Sequence, residues 1–167
     1  MASQYVPEYY AVGIHSVEDK GPSPKHPARR GLGVGDGRGK VPSMCAELWV
    51  GDGEHHWTPV APEARSPVFS RTFRLSPASM GVPKPKVHIR LHHRIAVGHP
   101  HADDAPHPAH GPPPGYLQPV AAGECDLKPR PAADYIAFMG VRRHGSSKSD
   151  LADGVVVLSV TPFPAPP

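Results

Sequence analysis

The chain has 167 residues, with 24 prolines, 17 glycines, 38% apolar residues and a formal net charge of +3. That length suits one domain, and so modest an apolar share builds a core only if it is concentrated in strands. No apolar run is long enough to span a membrane, and no Lys/Arg cluster interleaved with aromatic residues argues for nucleic acid.

Tyr9 to Val17 alternates, with Tyr10, Val12 and Ile14 on one face, and is read as a first strand. Residues 18–43 follow as a Pro/Gly-rich loop or arm. Cys45 to Val50 forms a short second strand that ends at Gly51-Asp52-Gly53. Val68 to Leu75 is a third. The clearest element is 86–97. Val87, Ile89 and Leu91 fall on one face, so they are expected to be buried, and His88, Arg90 and His92 fall on the other, so they are expected to be exposed. Six prolines among the eighteen residues from Gly98 to Gly115 exclude a helix and define a mobile insertion. Tyr116 to Leu127 holds one irregular strand, Asp134 to Arg142 another, and Val155 to Val160 a last, buried one. The expectation is all-β: an antiparallel β-sandwich of six or seven strands with long Pro/Gly-rich loops. It divides into 1–43 as an N-terminal strand and flexible arm, 44–162 as the sandwich with its insertion at 98–115, and 163–167 as a tail.

Few motifs carry chemistry. The glycines from Gly31 to Gly39 lack the spacing and following hydroxyl of a phosphate loop, and Pro42 leaves no room for the helix such a loop opens. His99, His101, Asp103, Asp104, His107 and His110 are the densest set of potential metal ligands, but a proline loop does not obviously hold them in a fixed geometry. His88 and His92 sit about 13 Å apart on a strand, too far to share an ion. His55-His56-Trp57 follows an acidic turn, and Trp57 serves either as a packing anchor or as a ligand stacker. No enzymatic constellation emerges, so no enzyme activity, cofactor or metal is expected. Cys45 and Cys125 cannot make a disulfide framework; one bridge is possible, and two buried thiols fit a reducing compartment better. With no signal-peptide pattern at the N-terminus, a cytoplasmic location is expected.

Residues 47–160 resemble the H-type lectin domain, a small antiparallel sandwich, with an insertion at about 98–131. The residues that carry the resemblance are Gly51 and Trp57, the run Val68-Phe69-Ser70-Arg71-Thr72-Phe73, Pro85-Lys86-Val87 opening the alternating strand, Asp134-Tyr135, Arg143-His144 before Ser146-Ser147, and the closing run Val155 to Val160. The resemblance implies a non-enzymatic carbohydrate-binding module, with glycans as partners and a homo-oligomer, in that family commonly a trimer. It implies a binding face built from Arg142, Arg143 and His144, with Glu63 and Arg65 at the rim. Arg143 stands where the family has a sugar-stacking Trp, which would shift preference toward charged glycans. The alternative reading is a structural or assembly protein, such as a coat or scaffold subunit, whose Pro/Gly arms order on neighbouring copies.

Overall fold

The computed structural model describes residues 7–21, 24–25, 31–32, 43–51, 53–62, 67–75, 85–95, 111–113, 115–129, 131–145 and 152–164. All the regular structure among them is strand: β1 (Tyr9–Asp19), β2 (Met44–Val50), β3 (His56–Trp57), β4 (Val68–Leu75), β5 (Lys86–Ile95), β6 (Tyr116–Asp126), β7 (Tyr135–Arg143) and β8 (Gly154–Phe163). Every pairing is antiparallel, in the order β3-β2-β5-β6-β7-β8-β1-β4. The all-β, sandwich-like expectation therefore stands. Among the described residues the strand count is eight, because His56–Trp57, too short to show a period, pairs with Glu47 and Leu48.

The sheet has a seam. β6 and β7 pair only through Ala121–Arg143, Ala122–Arg142 and Gly123–Val141. Either side of that seam lie two four-stranded layers, β3-β2-β5-β6 and β7-β8-β1-β4, whose inner faces share one core. At the seam a Cβ on Gly123 would run into the carbonyl oxygen of Gly140, so the two backbones approach closely only because residue 123 has no side chain.

The core follows the period-two pattern. Leu48, Ile89 and Leu91 from the first layer meet Val12, Ile14, Met139 and Leu158 from the second, each 0–1% exposed. Burying each large aliphatic chain is worth roughly 1.5–3 kcal/mol. Tyr10 is equally buried, and its hydroxyl donates to the Lys128 carbonyl at 2.8 Å, which removes the cost of an unpaired polar group.

Two bulges break the alternation. On β1 the register slips between Ile14 and Ser16, so His15 is extruded and Val17 returns to the core. On β6 one extra residue, Val120, lies between the partners of Leu91 and His92. Beside it His92 and His93 are both 5% exposed, which corrects the expectation that His92 faces solvent; Val87, Ile89 and Leu91 are buried as expected.

β1 is an inner strand. It pairs with β8 from Tyr9–Phe163 to Asp19–Gly154 and with β4 on its other edge. A sandwich starting at residue 44 would leave out this strand, which supplies Tyr10, Val12, Ile14 and Val17 to the core.

Candidate functional site

The outer face of the first layer gathers most of the chemistry. β2 presents Glu47 and Trp49 there, β5 presents Lys86, His88, Arg90 and His92, and the turn leading into β3 brings His55. The register sets Glu47 opposite Arg90 and Trp49 opposite His88.

Glu47 is the hub. Its side chain is only 6% exposed. His55 Nδ1 lies 2.5 Å from Oε1, His92 Nε2 lies 2.9 Å from Oε2, and Arg90 contacts Oε2 at 3.4 Å. Burial alone would push the Glu47 carboxyl up. The hydrogen bonds from His55 and His92 and the Arg90 charge outweigh it, and the group is held below the usual carboxylate range. The two imidazoles meet different oxygens, so the carboxylate bridges them and does not form a chelate with them. Among the described residues no group of three or more His, Cys, Asp or Glu could hold a metal ion.

Beside the hub, Trp49 is stacked between two imidazoles. The His55 ring lies 4.5 Å from it, tilted by 3°, and the His88 ring 5.4 Å, tilted by 13°. The Arg90 guanidinium is 5.3 Å from the same indole. Trp57 packs against His92 with ring centroids 5.0 Å apart. Towards β6, Glu124 takes Lys86 at 3.2 Å and His88 at 3.4 Å. These outer pairs are exposed and add little stability.

Both cysteines are free thiols: burial pushes Cys45 up to about 12, with Glu47 adding to the shift, and Cys125 up to about 11, with Asp126 adding. Neither is a reactive thiolate at neutral pH.

Of the residues that the lectin resemblance assigns to a sugar face, Arg142, Arg143 and His144 are described. Arg142 is exposed on the outward face of β7. Arg143 is half-buried, and its backbone N–H donates to Asp153 Oδ2 at 2.8 Å. His144 is exposed in a turn whose backbone N–H donates to the Val120 carbonyl. Glu63, Arg65 and the set from His99 to His110 lie outside the described residues, as does the 98–115 insertion apart from 111–113 and 115.

No family model matches the chain, and no curated protein matches it in sequence. Solved structures do. The C2A domain of a plant extended synaptotagmin 1 superposes with a TM-score of 0.57 at 11% identity, over 96% of this chain and 98% of that one. The SMP-C2A-C2B structure of extended synaptotagmin 2 superposes with a TM-score of 0.51 at 12% identity, over 93% of this chain and 27% of that one. The fold is thus C2-like. This overturns the H-type lectin resemblance and, with it, the carbohydrate-binding function, the glycan partners and the trimer it implied. The coat or scaffold alternative gains no support either. The physical reason is that strand alternation, Val-x-Phe and Pro-x-Val are satisfied by many antiparallel sandwiches, and the matched span left β1 out. The exclusion of a membrane partner rested on the lack of a spanning segment. No described helix is long and apolar enough to cross a membrane, but that bears on crossing and not on docking at a surface.

Proposed function

We propose that this chain is a non-catalytic, C2-like docking module that binds an anionic surface of the phospholipid-headgroup kind through the outer face of β2 and β5. The observation that carries this reading is the Trp49 indole stacked on His55 and His88 with Arg90 and Lys86 on the same face. An indole with cations around it suits the boundary between apolar and charged layers.

Lys86 and Arg90 stand among Glu47, Glu124 and Asp126, with the imidazoles of His55 and His88 between them. Free thiols at Cys45 and Cys125 favour the reducing, cytoplasmic side.

Co-sedimentation with vesicles tests the reading. Vesicles containing phosphatidylserine should retain the protein, while phosphatidylcholine vesicles should not. His88→Glu with Lys86→Glu should abolish retention. Equal binding to both vesicles, or none to either, rejects the proposal.

A further inference from the structure

On the opposite side of the sandwich the second layer has no covering element among the described residues. β7 points Ile136 and Phe138 outward, 51% and 70% exposed. Register places Phe138 beside Val157, Ile136 beside Ser159, and Gly140 beside Val155. Two large apolar side chains left so open on one strand, with half-buried Val155 and Val157 beside them on the next, mark an interaction surface. Its two ends carry opposite charge: Asp134 precedes the strand and Arg142 is its penultimate residue, both exposed and on the same alternation as Ile136 and Phe138. Neither has an ion-pair partner among the described residues.

The pattern is self-complementary. Let a two-fold axis lie in the plane of the face, along the row from Phe138 to Val157. Each strand then faces its own copy, reversed. Phe138 meets the second Phe138 at the axis. Asp134, four residues before it, meets Arg142, four residues after it, and this happens twice. Ile136 faces Gly140, a bulky side chain over none, and Val155 faces Ser159. Sheets packed face to face lie about 10 Å apart, and interlocking of large on small is what that spacing requires.

We infer that this face binds a second copy of the same chain, forming a two-fold dimer through β7 and β8 with reciprocal Asp134–Arg142 pairs. An isologous contact of this kind closes on itself and leaves no open end. It uses the layer opposite to the proposed docking face and does not depend on that reading.

Sedimentation velocity over a range of concentrations tests it, with circular dichroism confirming that each variant is folded. The wild type should pass from monomer to dimer. Phe138→Glu should remain monomeric. Asp134→Arg and Arg142→Asp should each weaken dimerisation by roughly tenfold or more, since each places like charges together twice. The double exchange Asp134→Arg/Arg142→Asp should restore it, because each cross-pair is again opposite in sign. A wild type that stays monomeric, a dimer that survives Phe138→Glu, or a double exchange that does not recover overturns the inference. So does a monomer that adsorbs to neutral lipid vesicles through Phe138, which would give the face to a membrane.

Discussion

Glu47 and His92 meet across the β2–β5 pair, Oε2 to Nε2 at 2.9 Å, with both side chains 6% exposed. An ionised carboxylate only accepts, so Nε2 carries the hydrogen and neutral His92 is the Nε2–H tautomer. The other ring nitrogen, Nδ1, is buried with no hydrogen-bond partner. Replacing Glu47 by Gln removes the charge that His55 and Arg90 also use. Glu47→Gln should cost roughly 1–3 kcal/mol in urea unfolding at neutral pH. The Glu47 carboxyl is lowered in the folded state, so its contribution is present above the ordinary value of about 4.3 and is lost as pH falls through the lowered one.

His93 sets a second pH dependence. Burial lowers its pKa, the nearby Arg143 charge adds to this, and a backbone hydrogen bond at Leu32 opposes it. Below the ordinary imidazole value of about 6.5 the unfolded chain takes up a proton that the folded chain refuses. Stability from this group is therefore complete above that pH and declines as pH falls toward the lowered folded value, by up to about 1.4 kcal/mol per pH unit. Denaturant midpoints measured between about pH 5 and 8 should show the slope, and His93→Leu should flatten it.

Leu91 lies at 0% exposure in the middle of β5. Leu91→Ala should cost roughly 2–5 kcal/mol, read from chemical denaturation. A loss well under 1 kcal/mol would mean that the two layers do not share one core.

Gly123 tests the seam. Its missing side chain is what lets β6 approach the Gly140 carbonyl, and backbone cannot step aside as a flexible side chain can. Gly123→Ala should destabilise by roughly 1–3 kcal/mol and raise amide exchange at Val141, its partner across the seam.

The strands that the sequence reveals are those whose periodicity is local. Val87, Ile89 and Leu91 announce β5 because three aliphatic residues alternate with polar ones. Tyr10, Val12 and Ile14 announce β1, but nothing near them says that β8 and β4 will flank it, since pairing is decided by residues far along the chain. β3 has two residues, and two residues have no period. His92 is covered on the outer face by Trp57 and Glu47, which come from other strands. The site was half legible. The 86–94 stripe, Trp57 and His55 stand out in the sequence, whereas Glu47 sits in a short apolar-looking strand, and only folding brings two histidines and an arginine to it. The apolar pair Ile136 and Phe138 read as ordinary strand alternation, because alternation does not tell which face lies inward.

The double pairing of β1 bears on the order of folding. Its two neighbours are the fourth and the last of the eight strands, so as the chain is made β1 must stay apart from a finished sheet until β8 arrives. Such non-local closure is slow, on the order of milliseconds to seconds for small all-β domains. During that delay an unpaired edge is a template for aggregation. The far end of the strand carries Glu18, Asp19 and, just beyond it, Lys20, and the extruded His15 interrupts its outer edge. Charges and a bulge of this kind discourage another chain from adding to the edge before the native partner does.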